Sequence, residues 1–375
     1  MIDFPMTEAS IWTALYCFVF YLFLFILNFK KGVINYRNTI LSGPFVGFML
    51  FLFGFFTVTH CMKGDFFHMM EKVYDYVYIE GSYNYGEVVY PIIGEFVHNN
   101  YFLFRVIVWG GSFLLFLLTA KRMKLNPYNA AALLILTHAI TFSYARATAS
   151  MAVYFFGLSF LCNPPKKRIF GYVFGITLIL LSFYFHRSAL AMIFLTVMLL
   201  VPLNKRTIIL LLFFIFIIAS LFKDYFETIA YSFDIDEVMQ DKLQNYSDRS
   251  LNSGLAATLL SFFDYLSFLI PAFYCSKVIY FTNKYSVPSY LKRLCGVAIG
   301  LVFTSFVFYL QGSSYITFYY RILYMSMLPL TFLMTYIWNN RLLIKKQFLL
   351  CILPGVFYHF SQYLYSIYLA NLGIK

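Results

Sequence analysis

Three places in the 375-residue chain set guanidinium or imidazole groups where an apolar run begins, ends or turns. Arg146 stands in Phe142-Ser143-Tyr144-Ala145-Arg146-Ala147-Thr148-Ala149, His186 and Arg187 are adjacent, and Arg321 follows Tyr319 and Tyr320. Ionisable side chains at membrane depth are costly, so they face a cavity or a partner. A guanidinium is a planar fork of donors that meets phosphate oxygens in pairs. Arginines converging on one leaflet therefore suit a lipid-linked diphosphate. The plainer alternative is that each snorkels to the headgroups or pairs with a carboxylate. His186 can be neutral near pH 7 and accept a proton from a sugar hydroxyl, which makes it a candidate general base; a structural role at a helix turn is the alternative. Glu87 and Asp65 are the other candidate bases, against the ordinary case of a solvated loop acid. Asp264 lies within an apolar run and is expected to neutralise an arginine. His138 and His359, deeper in such runs, are expected to be hydrogen-bonded packing residues.

Asp234-Ile235-Asp236-Glu237 resembles the acidic pair that holds a divalent ion in many glycosyltransferases. A bare Asp-x-Asp within an acidic loop reads first as solvated charge. The chain contains no HExxH, Walker or serine-hydrolase pattern, and its six cysteines are scattered without metal-ligand spacing. No metal and no cofactor is expected.

The elements that position these groups follow from composition. The chain is 61% hydrophobic, 22% aromatic and only 12% charged, with a mean hydropathy of +0.74. Soluble domains are about 45–50% apolar and about 25% charged. The apolar runs have the length that crosses roughly 30 Å of hydrocarbon as a helix. The expected fold is all-α: one integral membrane domain, a polytopic bundle of about twelve spans near 9–29, 40–59, 101–120, 128–145, 147–162, 169–185, 188–202, 207–222, 255–275, 294–311, 318–338 and 348–369. Stretches 128–162 and 169–202 read as tight helical hairpins, with Arg146 and His186-Arg187 at their turns.

Net charge of +12 does not indicate nucleic acid, because the basic residues form short clusters between apolar runs rather than a basic domain. The clusters occupy alternate connections, among them Lys121-Arg122-Met123-Lys124, Lys166-Lys167-Arg168 and Lys345-Lys346, and no acidic residue falls in these connections. The positive-inside rule makes that side cytoplasmic and both termini extracytoplasmic. Acidic charge before the first run and Lys30-Lys31 after it argue for a retained span rather than a cleaved signal. Two larger outer loops remain, 60–100 and 223–253. Each carries apolar spacing of an interfacial amphipathic helix, as at Phe66, Met70, Val73 and Val77.

At these same residues the sequence resembles the EpsG/Wzy group of polysaccharide polymerases. Phe185-His186-Arg187-Ser188-Ala189-Leu190 is similar to the group's Phe-His-x-Ser-Ala-Leu segment, and Arg146 resembles the arginine that opens a span after an aromatic stretch. Arg321-Ile322-Leu323-Tyr324 is like its later arginine segment. Gly64-Asp65 and Glu87-Val88-Val89-Tyr90-Pro91 resemble its first outer loop. The order covers most of residues 60–330. Ala147 stands where the group often has Gln, and Arg187 occupies a variable position of its motif.

The resemblance implies glycosyl transfer between two polyprenyl-diphosphate-linked oligosaccharides at the outer face of a bacterial inner membrane, in a helical bundle with an outward, GT-C-like cavity. Arg146, Arg321 and Arg187 would hold the diphosphate, with His186, Glu87 or Asp65 as base. Membrane lipids, and a chain-length regulator or flippase protein, are the implied partners. An O-antigen ligase or other polyprenyl-linked glycosyltransferase needs the same diphosphate grip. A lipid-linked oligosaccharide flippase is the rival of another class, and it would need polar groups spread down to the cytoplasmic leaflet.

Overall fold

A computed structural model describes residues 8–31, 89–98, 103–104, 106–142, 145–162, 168–186, 255–280, 287–310, 316–340 and 346–372, together with isolated positions between 189 and 217. The described chain is helical throughout, without a strand. In order come α1 (Glu8–Lys31), α2 (Val89–Phe96), a π-helical turn (Val106–Gly110), α3 (Gly111–Arg122), α4 (Pro127–Phe142), α5 (Ala145–Cys162), α6 (Arg168–Phe185), α7 (Leu255–Tyr280), α8 (Ser289–Leu310), α9 (Ile316–Met325), α10 (Met327–Asn339) and α11 (Lys346–Asn371).

Among the described residues, Phe262–Tyr280, Ser289–Val307 and Tyr319–Asn339 are long and apolar enough to cross a membrane. Leu15–Ile26, Arg146–Cys162 and Ile169–Phe185 are shorter apolar helices. The protein is thus a helical membrane protein. The expected spans 40–59, 188–202 and 207–222 lie wholly or mainly outside the described residues, so the described helices establish the class rather than a count of twelve.

Close packing follows small residues. α5 turns Ser150 and Gly157 toward Gly175 and Ser182 of α6, and all four are buried. A Cβ on Gly157 would stand 2.7 Å from the Gly175 carbonyl oxygen, and one on Gly175 would stand 2.8 Å from that of Gly157. Only two glycines let the backbones approach this far, the small-residue contact that replaces hydrophobic driving force between helices in lipid. The close pair is therefore α5 with α6, whereas the sequence pointed to a hairpin of 128–162. α4 instead packs against α1, α10 and α11.

α4 departs from helical geometry at His138, with φ −146° and ψ 19°. A break at this depth is tolerated where neighbouring groups satisfy the freed backbone. α11 supplies them: the Thr137 carbonyl accepts a hydrogen bond from the His359 ring. Gly355, just after Pro354, lets α11 close in until an added Cβ would lie 2.8 Å from the Thr137 Cα. The His138 ring packs on Phe268 of α7 with centroids 4.5 Å apart.

A one-residue irregularity separates α9 from α10 at Ser326, which keeps right-handed helical dihedrals (φ −77°, ψ −10°), inside what the sequence reads as one span over 318–338. Pro329 lacks an N–H, and its ring clashes with the carbonyl four residues back, that of Met325. The chain tightens there: Ser326 N–H donates to the Leu323 carbonyl at 3.0 Å and its hydroxyl to the same oxygen at 2.6 Å.

Candidate functional site

The two ends of the bundle are fixed by independent contacts. At one, the Arg122 guanidinium donates to Ser159 Oγ at 3.0 Å and lies 3.6 Å above the Phe160 ring, which staples α3 to α5. At the same end Asn129 Nδ2 donates to Asn339 Oδ1 at 2.9 Å, and the Tyr290 hydroxyl donates to the Met123 carbonyl at 3.0 Å. Arg146 lies about 20 Å away along α5, at 1.5 Å per residue from Ser159. α6 runs antiparallel to α5, held by Ser150 Oγ donating to the Ser182 carbonyl at 3.0 Å, so His186 emerges beside the Arg146 end. Arg321 precedes Asn339 by more than a helix length along α9 and α10, and α9 packs against α5. Arg146, His186 and Arg321 therefore share the end opposite Arg122.

Their settings differ. Arg146 is half-buried in the first turn of α5 rather than in the connecting turn that the sequence suggested. His186 directly follows α6 and is 8% exposed. Its N–H reaches the Ser182 carbonyl at 3.3 Å, and its carbonyl accepts from Ala189 N–H at 2.9 Å. Arg321 is exposed on α9, next to tyrosines that turn inward. Glu87, Asp65, Arg187, Asp234 and Asp236 lie outside the described residues.

Tyr90, on α2, meets two of these groups. Its hydroxyl donates to the Arg146 carbonyl at 3.3 Å, and its ring meets that of Phe185 edge-on, with centroids 6.2 Å apart. The sequence carried Tyr90 only as part of the Glu87–Pro91 segment. The available signal was Pro91, which suits the first turn of a helix. It marks a short helix at 89–96, beyond the amphipathic spacing at the loop's start.

Below Arg321 an aromatic series runs inward. Tyr309 and Tyr319 lie 5.2 Å apart, Tyr319 and Tyr320 4.7 Å, Tyr320 and Tyr324 5.6 Å, and Tyr324 and Phe268 5.9 Å. Asp264 is 2% exposed and accepts a hydrogen bond from the Tyr324 hydroxyl at 3.0 Å. The acid expected to neutralise an arginine thus bonds a tyrosine on the helix that carries Arg321. A neutral donor suits this depth, where bringing in a second charge would add its own desolvation cost.

The arrangement offers a half-buried and an exposed guanidinium group and an imidazole at a helix end. Such groups can neutralise an anion and accept a proton. Residues 64–373 match the family model of the EpsG family. No curated protein and no solved structure matches the chain.

Proposed function

The chain belongs to the EpsG family, a family of polysaccharide-polymerase-like proteins, and from that premise we propose that it joins polyprenyl-diphosphate-linked oligosaccharide units on the outer face of a bacterial inner membrane. The hydroxyl of one lipid-linked unit attacks the anomeric carbon of the chain on another. The bond from that carbon to the diphosphate oxygen breaks, and polyprenyl diphosphate leaves with the electron pair. Charge grows on the leaving oxygen in the transition state. Preorganised guanidinium donors in a site poor in water stabilise it without reorganising. Arg146 and Arg321 take this role, with Arg187 beside His186 in sequence. His186 accepts the acceptor's proton, and Glu87 and Asp65 are the alternative bases.

The observation that supports this reading is the shared end. Arg146 and His186 come from opposite termini of the tightly paired α5 and α6, and Arg321 stands on a helix packed against α5. On the charge-derived topology that end is the outer one. The reading is metal-independent, because arginines carry the diphosphate charge.

The test incubates purified protein in detergent with a synthetic polyprenyl-diphosphate repeat unit, without nucleotide sugar and with chelator. A ladder of longer products is expected. Transfer of single units to a different acceptor, without a ladder, would favour a ligase. Movement of substrate across vesicle membranes without elongation would favour a flippase.

A further inference from the structure

Arg146 and His186 both sit at helix termini, Arg146 in the first turn of α5 and His186 directly after α6. Helix termini lack the full set of intrahelical bonds, so their local direction depends on outside contacts. The long 3.3 Å contact from His186 N–H to the Ser182 carbonyl shows the ladder of α6 giving out. Tyr90 reaches both places through different atoms: its hydroxyl bonds the Arg146 carbonyl, and its ring packs edge-on against Phe185, the residue before His186. Phe104 lies against the same ring at 6.3 Å, and Tyr90 is 3% exposed. α2, which carries it, packs on α6. Segments distant in sequence thus meet on one side chain.

We propose that Tyr90 is a positioning residue that sets the spacing between Arg146 and His186. Its hydroxyl holds the guanidinium-bearing turn, and its ring holds the imidazole-bearing turn through Phe185. This rests on the function proposed above, in which the two groups act on one transferring bond. Small displacements of such groups cost rate out of proportion to their energy, because the reacting atoms must meet in one geometry. A tyrosine serves both contacts at once, as an apolar ring with a polar tip.

The experiment separates the two contacts. Tyr90→Phe removes the hydroxyl alone, and Tyr90→Leu removes the hydroxyl and the ring. Each is purified and measured for kcat and KM on the synthetic repeat unit. Modification of His186 by diethyl pyrocarbonate is followed by mass spectrometry of its peptide. Tyr90→Phe should lower kcat by about twofold, the rate equivalent of a hydrogen bond at the weak end of the ordinary range, as its 3.3 Å length implies, with KM little changed. In an Arg146→Lys background the same change should add almost nothing, because residues acting as a unit are not additive. Tyr90→Leu should open His186 to modification, whereas the wild type and Tyr90→Phe keep it protected.

An equal loss from Tyr90→Phe in both backgrounds overturns the proposal, because the hydroxyl would then act elsewhere than through Arg146. Unchanged protection of His186 in Tyr90→Leu overturns it as well. Should wild-type protein make no ladder, the function itself fails; the His186 modification is independent of turnover and still shows whether Tyr90 holds that turn.

Discussion

A guanidinium and an ammonium carry the same charge but differ in shape, which makes lysine the sharpest substitution at the proposed diphosphate site. Arg146→Lys and Arg321→Lys should give folded protein whose polymerisation is strongly reduced, since the paired geometry is lost while charge is kept. Loss of one preorganised donor typically costs about 10²–10³ in rate. Near-normal long-chain product from both variants at matched expression would leave these arginines as snorkelling residues. His186→Ala should lower kcat and leave binding of the lipid-linked substrate nearly intact, as for a group acting mainly in the transition state. Equilibrium binding to fluorescent substrate checks this; weaker binding with unchanged turnover would make His186 a ligand contact and Glu87 or Asp65 the next base. At this scale the sequence was informative about residue types. Arg146, His186 and Arg321 stood out because charge beside an apolar run is rare. Partners were not legible: whether Asp264 faces an arginine or Tyr324 depends on how α7 and α9 are rotated about their axes, and 60 residues separate the pair.

Among the elements, the contact between α5 and α6 invites the most direct challenge. Gly157→Val places branched carbon where a Cβ already falls 2.7 Å from a backbone oxygen, and backbone cannot turn aside as a flexible side chain does. Overpacking of this kind typically costs about 1–3 kcal/mol. The variant should therefore unfold at lower temperature in detergent and should release His186 from its buried position. Unchanged thermal unfolding would mean that the two helices separate without penalty. Helix positions were readable from hydropathy because apolar length follows membrane thickness. The irregularities were less so. Pro329 marked the tightening at Ser326 plainly, but an apolar run of span length masked it. No residue type announced the departure at His138, which depends on α11 arriving with Gly355 and His359.

Across the whole molecule, the charge pattern predicts the orientation. On a cysteine-free background, Asp75→Cys should react with a membrane-impermeant maleimide added from outside, because residue 75 belongs to the acidic loop of 60–100. Reaction from the cytoplasmic side alone would invert the topology and move Arg146, His186 and Arg321 away from any outward-facing substrate. The general architecture was legible because twelve per cent charge leaves no other solvent than lipid for this surface. The pairing of helices was not, since α4 joins its neighbours on α11 across most of the chain.

That long reach orders events in time. α5 and α6 are neighbours in synthesis and can pair as soon as both have left the ribosome. The broken α4 must wait until His359 has been made, more than 200 residues later, which at about 5–20 residues per second is roughly 10–40 s. During that interval the Thr137 carbonyl lacks its eventual imidazole donor, a condition hydrocarbon does not relieve. The nascent protein is therefore expected to lean on a membrane chaperone or the insertion machinery over this interval. Pulse-chase crosslinking from position 137 should detect such a contact early and lose it once α11 is complete. A C-terminal truncation before Lys346 should keep the contact and be degraded rapidly, whereas turnover at the full-length rate would show that α4 settles without α11.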